Sequence, residues 1–177
     1  MINRILTSKQ KTHFTKFKSP IGTIGLIASA DALIEIKLNI PKKVNQPPNF
    51  IENKILSQAK RELRQYFEGK LTAFKVPVYL QGTNFELAVW RRIMQIPYGF
   101  QLSYSELAKS IGYIDAARAV GRANSRNRLP IIIPCHRVIK LNGEIGGYSG
   151  GKAKKKWLIE LEEKSNTKHS DLESYHP

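Results

Sequence analysis

The chain has one cysteine, Cys135, in the segment IIIPCHRVI that covers residues 131–139. His136 and Arg137 follow it directly. A histidine can take a proton from a thiol and a nearby positive charge stabilises a thiolate, so this arrangement suits a nucleophile. We therefore expect a lowered pKa for the Cys135 thiol. On composition alone, the alternative is a small buried apolar side chain with a structural role.

The histidine needs particular geometry to activate the thiol. In a regular strand neighbouring side chains point to opposite faces, so His136 reaches the sulfur only across a bend or through a water molecule. Its ring also needs an acceptor that orients it. Three carboxylates on the last predicted helix could serve, and their spacing does not choose among Glu160, Glu162 and Glu163.

Two further stretches could support such a site. The segment GGYSGG, residues 146–151, places four glycines around Tyr148 and Ser149 and predicts a mobile loop whose backbone can approach a ligand. A plain surface loop is the alternative. Asn127 precedes the apolar run before Cys135, where its side chain could lock a turn by bonding to the backbone.

Composition limits the class of protein. The 177 residues are 41% hydrophobic, which is enough for a sizeable core, and a single cysteine cannot form an internal disulfide. We find no secretory signal and no run near the roughly 18 apolar residues of a membrane span. A cytoplasmic protein without a membrane association is expected, associated with the nucleoid if the source is bacterial.

The net charge is +15, which favours a polyanionic partner, with nucleic acid first and an acidic membrane surface second. Residues 91–140 alone carry nine lysines or arginines against two acidic residues, and seven of the nine are arginine. The planar guanidinium suits phosphate groups and base edges better than the ammonium of lysine does.

The first 80 residues predict a small α+β domain. Residues 19–29 and 33–38 have the composition and spacing of two strands, and residues 51–68 have apolar side chains at helical spacing. The alternating segment AFKVPVYL, residues 73–80, predicts a last strand.

Residues 81–163 predict a mainly helical domain, followed by a disordered tail at 164–177. Thr83 with Glu86 and Ser103 with Glu106 have the spacing of capping boxes at helix starts. Asp115 could cap a further helix at 116–124, which forms a helix-turn-helix with the helix before it. A last helix is predicted at about 152–163.

The helix at 116–124 has an unusual outward face of two small residues and two arginines: Ala117, Arg118, Gly121 and Arg122. A glycine inside a helix costs about 1 kcal/mol relative to alanine, yet it lets the backbone come close to another surface. Base-reading side chains are almost absent, so we predict DNA docking with little sequence specificity. Tight packing between helices, with incidental arginines, is the alternative.

Together, these residues carry a resemblance to a known family. PCHRVI, preceded by ARAVGRANSRN and followed by GGYSGG and a tryptophan, resembles the methylated-DNA–protein-cysteine alkyltransferases, which act on O6-alkylguanine. The similarity covers about residues 83–163. It implies an α+β fold with a ribonuclease H-like N-terminal domain and a mainly helical C-terminal domain containing the helix-turn-helix. Ser125 and Arg128 depart from the pattern of many members.

The resemblance also implies catalytic roles. Cys135 is similar to the residue that accepts the alkyl group, and His136 to the base that draws the thiol proton through a water. Glu162 matches the carboxylate that orients this histidine. Asn127 matches the asparagine that ties the helix-turn-helix to the active-site turn.

Further positions are implied for DNA and the base. Arg118 looks like the finger that replaces a flipped nucleotide, and Tyr104 like the tyrosine that rotates the 3′ phosphate and can protonate guanine. The helix at 116–124 would enter the minor groove. The flipped base would be held and lined by Cys135, Val138 and Ser149 with Tyr148 and Pro130.

The implied function is DNA repair by an irreversible, single-turnover methylated-DNA–protein-cysteine methyltransferase that acts as a monomer on double-stranded DNA. The alkyl group would move from O6-alkylguanine, and also from O4-alkylthymine, to Cys135. No cofactor is expected, and one cysteine with His13 cannot build a zinc site.

Three other functions remain open. The first is a non-enzymatic alkylated-DNA binding protein on the same scaffold, against which Cys135 counts. A helix-turn-helix regulator would need base-reading side chains on its recognition helix. A cysteine hydrolase would need an oxyanion hole, which nothing in the sequence identifies.

Overall fold

The structure is a computed structural model that describes residues 11–40 and 53–173, with side chains described as far as residue 165. The chain divides between Gln81 and Gly82 into two compact units. A small sheet lies in the first unit and most of the helices lie in the second, which confirms the predicted α+β class. No helix in the described part of the chain combines the length and apolar character that a bilayer crossing requires.

In the residues that the structure describes, the first unit is a three-stranded antiparallel sheet covered by one helix. Its strands are β1 (His13–Ser19), β2 (Gly22–Ala28) and β3 (Leu33–Lys37), in the order β1-β2-β3, and α1 (Lys54–Phe67) packs on them. The sequence predicted one strand at 19–29, whereas the chain reverses before Gly22, which has a φ of 105°. β1 escaped prediction because polar Thr15 shares its buried face with Phe17.

The predicted strand at 73–80 is wrong in extent. Only Val78 bridges to the sheet, opposite Leu33, where the Leu33 amide donates to Pro77 and the Tyr79 amide donates to Leu33. Pro77 has no amide hydrogen, so the segment cannot form a continuous ladder. The helix predicted at residues 51–68 corresponds to α1; residues 51 and 52, at its predicted start, lie outside the described residues.

The described part of the second unit contains four α-helices and a two-stranded sheet. The helices are α2 (Asn84–Ile93), α3 (Tyr104–Ser110), α4 (Ala117–Ser125) and α5 (Lys152–Glu173), and the strands are β4 (Leu102–Ser103) and β5 (Val138–Ile139). Both predicted capping boxes are confirmed, at the starts of α2 and α3. The parallel pairing of β4 with β5 brings the start of α3 beside the residues that follow Cys135.

Two boundaries differ from prediction. Asp115 does not cap α4: its φ is +66°, and Ala116 is the N-cap residue, with no side-chain hydrogen bond. The last helix continues to Glu173, beyond the predicted end near residue 163, so that helix replaces most of the predicted disordered tail. Residues 174–177 lie outside the described residues.

A buried hydrogen bond attaches α4, the second helix of the helix-turn-helix, to α2. The indole nitrogen of Trp90 on α2 donates to the carbonyl of Ala123 on α4 over 2.9 Å. Val120, Ala123 and Asn124 are buried, while Arg118 and Arg122 are exposed. α4 therefore presents the arginine-bearing face that the sequence predicted.

Candidate active site

Cys135 begins a single turn of 3-10 helix, Cys135–Arg137, which leads directly into the short strand β5. The Cys135 amide donates to Ile133 over 2.7 Å, and the Arg137 amide donates to Pro134 over 2.9 Å. Ile131 has a φ of +78°, so the backbone approaching the cysteine is strained. Of the two routes that the sequence left open, a bend or a water molecule, the bend between Cys135 and His136 is present.

Glu162 on α5 is the carboxylate that holds the histidine. Its Oε1 accepts a hydrogen bond from His136 Nε2 at 2.8 Å, within a site where both side chains are buried. The other candidates are occupied elsewhere: Glu163 accepts from Gln101, and Glu160 lies 3.7 Å from Lys156. The structure thus distinguishes the three carboxylates that sequence spacing left open.

The same carboxylate also binds Arg137 and a backbone amide. Arg137 donates through Nε to Oε2 at 2.8 Å and through a terminal nitrogen to Oε1 at 3.0 Å. The Gly99 amide donates to Oε2 at 3.1 Å, and Arg137 also donates to the Ile96 carbonyl. Arg137 therefore neutralises Glu162, whereas the sequence analysis had assigned its charge to the thiol.

Charge pairing fixes the protonation states of this cluster. Burial acts to raise the pKa of Glu162, but the hydrogen bonds from His136 and Arg137, together with the charge of Arg137, outweigh it and lower this pKa to about 2. Burial lowers the pKa of His136, and Glu162 opposes that effect. The ionised carboxylate accepts the Nε2 proton, so Nδ1 is the basic nitrogen of the neutral ring.

The thiol itself is 2% exposed, and its pKa differs from the sequence prediction. Burial raises the pKa of Cys135 to about 11, although a hydrogen bond from Asn127 and the charge of Lys155 act to lower it. The expectation of a lowered pKa was therefore wrong for the protein alone. Loss of hydration outweighs the neighbouring positive charges, since burial disfavours the charged form.

Lys155 on α5 is the cation that acts on the thiol. Its side chain is fully buried; Nζ donates to the Val138 carbonyl over 2.5 Å and lies 5.8 Å from the centre of the Tyr104 ring. Burial lowers the pKa of this ammonium to about 8, and the charge of Cys135 partly opposes that effect. Lys155 thus connects the cysteine turn to the start of α3.

Two asparagines fix the backbone around Cys135. Asn127 donates to the Ile133 carbonyl and accepts from the Leu129 amide, both over 2.9 Å, which closes the loop before the cysteine. Asn124 on α4 donates to the Cys135 carbonyl over 3.3 Å. The helix-turn-helix and the cysteine turn are therefore directly bonded to each other.

Two tyrosines flank the cysteine. Burial raises the pKa of Tyr104, and a hydrogen bond with Asn124 opposes that rise. A side chain on Gly146 would come within 2.7 Å of the Tyr104 hydroxyl, so this glycine permits the close approach of the 146–151 loop. Tyr148 stands edge-on to His136, with 6.5 Å between ring centres, and its hydroxyl is buried.

The remaining predicted residues lie on several parts of this unit. Val138 and Pro130 are buried, Ser149 is exposed, and Ala117 is half-buried on α4. Gly121 faces Tyr104, where an added methyl group would lie 3.9 Å from the ring, an ordinary contact. Packing within the protein therefore does not require glycine at this position.

Family models match both units of the chain. Residues 84–164 match the DNA binding domain of 6-O-methylguanine DNA methyltransferase, and residues 12–80 match its ribonuclease-like domain. The chain belongs to the 6-O-methylguanine DNA methyltransferase family. DNA is accordingly a partner of this family member, and the resemblance found in its sequence is confirmed.

Individual relatives agree with this assignment. The methylated-DNA–protein-cysteine methyltransferase of Methanosarcina acetivorans is 41% identical over 85% of this chain and 97% of its own length. The constitutive enzyme of Bacillus subtilis is 36% identical over 85% of this chain and 94% of its own. A crystal structure of the O6-methylguanine methyltransferase of Mycobacterium tuberculosis has a TM-score of 0.77 and 39% identity, covering 88% of this chain and 94% of its own.

A structure of the Mycobacterium tuberculosis protein in complex with DNA is equally similar, with a TM-score of 0.77 and 39% identity over 86% of this chain and 94% of that one.

Within the site described above, sequence reasoning missed Lys155, Asn124 and the pairing of Arg137 with Glu162. Signals for two of them were present. Lys155 shares the apolar stripe of Leu158 on α5, and Asn124 lies one helical turn after Val120.

We predict that Glu162 stabilises the fold in a pH-dependent way. Its pKa is lowered in the folded state, so its contribution is complete above the ordinary value of 4.5 and is lost as the pH falls toward about 2. The difference in free energy of unfolding between wild type and Glu162→Gln should shrink by roughly 3 kcal/mol over this range. Urea unfolding at a series of pH values measures it.

Glu163→Gln is the matched control, because this neighbouring carboxylate is exposed and bonds to Gln101. Its difference from wild type should stay nearly constant with pH. A gap for Glu162→Gln that is equally constant would contradict the charge cluster.

Proposed function

We propose that the protein repairs DNA by moving the alkyl group of O6-alkylguanine directly and irreversibly onto Cys135. The observation that carries this proposal is the contact between His136 and Glu162 at 2.8 Å, directly after the only cysteine in the chain. A buried neutral histidine with a carboxylate on one nitrogen is arranged to accept a proton at the other. The family supplies the alkylated base as the substrate on which such a thiol acts.

Activation starts from a neutral thiol. With a pKa of about 11, Cys135 is protonated near neutral pH, and His136 takes the proton at Nδ1, through a water where the two do not touch. Glu162 stabilises the resulting imidazolium, and the ammonium of Lys155 stabilises the thiolate. Each new charge therefore has a partner of opposite sign within the buried site.

Transfer is a displacement at the alkyl carbon. The thiolate forms the S–C bond as the bond from that carbon to guanine O6 breaks, and the electron pair leaves with the guanine. Burial raises the pKa of Tyr104, which keeps its hydroxyl protonated and able to donate a proton to the departing base. The product is a stable thioether, so each molecule reacts once.

DNA docking uses the exposed face of α4. Arg118 and Arg122 are exposed there, and Gly121 lets the backbone come close to the minor groove although the protein itself has room for a larger residue. A base buried in the duplex must leave the stack before its O6 substituent is reached, at a cost of a few kcal/mol. Arg118 would fill the gap. The protein would act as a monomer in the cytoplasm, associated with the nucleoid if its source is bacterial.

The flipped base would enter beside the cysteine turn. The backbone of Cys135 and Val138 would hold its edge with Ser149, and Tyr148 and Pro130 would line its faces. A non-enzymatic binding protein on this scaffold could hold the same base. It would need no nucleophile, so a cysteine followed directly by a histidine that Glu162 holds favours transfer over binding alone.

Intact mass spectrometry tests the transfer. After incubation with a duplex that contains O6-methylguanine, the protein should gain the mass of one methyl group, located on Cys135 by peptide mapping. Cys135→Ser should gain nothing. Binding without a mass gain would favour the non-enzymatic alternative, and repeated turnover would indicate an enzyme of another class.

The proposed role of Arg118 predicts a substrate-dependent defect. Arg118→Ala should slow repair of O6-methylguanine in duplex DNA by about fivefold or more, because the flipped state loses its replacement in the stack, an effect of about 1–3 kcal/mol. Reaction with free O6-benzylguanine should be nearly unchanged. Single-turnover rates with both substrates measure the split.

Arg91→Ala is the charge-matched control, since Arg91 is an exposed arginine on α2. It should leave both rates near those of wild type. Equal losses on duplex and free base for Arg118→Ala would remove the finger assignment.

A further inference from the structure

The proposed chemistry does not use the buried amide of Asn124. This residue lies on α4, one helical turn after Gly121, and is only 6% exposed. Its Nδ2 donates to the Cys135 carbonyl over 3.3 Å, and the same amide hydrogen-bonds to the Tyr104 hydroxyl. One buried side chain thus contacts both the turn that carries the nucleophile and the proposed proton donor.

The orientation of the Asn124 amide follows from these contacts. A carboxamide has two hydrogens on its nitrogen and none on its oxygen. Reversing the group would place its oxygen against the Cys135 carbonyl oxygen, and two acceptors repel each other. The amide also acts to lower the pKa of Tyr104, against the rise that burial causes, which is the effect of a donor on a phenol oxygen. Asn124 therefore presents N–H groups to both partners.

The hydrogen of the Tyr104 hydroxyl is consequently not donated to Asn124. The amide oxygen, Oδ1, is buried and accepts no hydrogen bond from any residue that the structure describes. Two backbone segments also confine the tyrosine: an added methyl group would lie 3.9 Å from its ring at Gly121 and 2.7 Å from its hydroxyl at Gly146. Tyr104 is held in place, accepts a hydrogen bond from Asn124 and keeps its own hydrogen to donate.

We propose that Asn124 is a positioning residue for alkyl transfer, which directs the Tyr104 hydrogen toward the departing guanine and stabilises the phenolate that remains. The inference rests on the proposed function, in which Tyr104 is the acid. As the bond from the alkyl carbon to O6 breaks, the O–H bond of Tyr104 breaks and its hydrogen binds to a nitrogen of the guanine, which leaves neutral. The electron pair of the O–H bond stays on the Tyr104 oxygen, to which Asn124 donates.

A double-mutant cycle separates this role from a purely structural one. Single-turnover rates are measured with free O6-benzylguanine, so that docking of α4 on DNA does not contribute. Tyr104→Phe should slow the reaction by roughly 100-fold, and Asn124→Leu should slow it by roughly tenfold. When Tyr104→Phe is already present, Asn124→Leu should slow the reaction by no more than about twofold, because the hydroxyl that it positions is gone.

Ser125→Ala is the matched control on the same helix. Its exposed hydroxyl donates to the Arg122 carbonyl, and the variant should react at the wild-type rate. Asn124→Ala removes the same amide without adding volume. It replaces Asn124→Leu in the cycle if circular dichroism shows that Asn124→Leu does not fold.

Equal slowing by Asn124→Leu with and without the Tyr104 hydroxyl would overturn the proposal, because the loss would then come only from the bond to the Cys135 carbonyl. No slowing in either background, or a wild-type rate for Tyr104→Phe, would overturn it too. In each of these cases the wild-type protein still gains one methyl group on Cys135, so alkyl transfer stands. A wild-type protein that gains no mass would instead mark the failure of the proposed function.

Discussion

The buried carboxylate of Glu162 is the constraint on which the active site depends. It accepts hydrogen bonds from His136, Arg137 and the Gly99 amide, and so joins α5 to the cysteine turn and to the loop before β4. An uncompensated buried charge costs several kcal/mol, which makes this arrangement close to all or nothing. With Arg137 as its counter-ion, Glu162 stays ionised and can fix the tautomer of His136. In the proposed mechanism, His136 is therefore ready to accept the thiol proton before DNA binds.

Burial of the Cys135 thiol keeps it unreactive until a substrate is bound. A thiolate that existed permanently would react with small oxidants and electrophiles, and this protein has only one such group. Burial instead keeps Cys135 neutral, and its positive neighbour Lys155 is held on the Val138 carbonyl at the edge of the same site. In the proposed mechanism, the sulfur becomes reactive when its proton can pass to His136. The reactivity of Cys135 thus depends on the geometry of the site rather than on a permanent thiolate.

The sequence predicted those features that depend on residues close together in the chain. The capping boxes at Thr83 and Ser103 follow from the spacing of two residues three positions apart, and both are present. The sign of the thiol pKa shift could not be predicted, because it depends on how completely tertiary packing removes water from Cys135. Spacing alone likewise did not choose Glu162 over its neighbours, because that choice depends on the rotation of α5 about its axis; the resemblance to the family assigned it. β1 was hidden by Thr15 on its inner face, a polar residue that breaks the expected alternation.

The protonation state of Cys135 in the free protein tests the resting site most directly. Because the chain has one cysteine, selective 13C labelling gives a single Cβ signal whose chemical shift reports thiol or thiolate. A thiol with a pKa of about 11 should show no titration between about pH 6 and about pH 9. A titration midpoint near or below about pH 7.5 would contradict it, and would show that the surrounding positive charges outweigh burial after all.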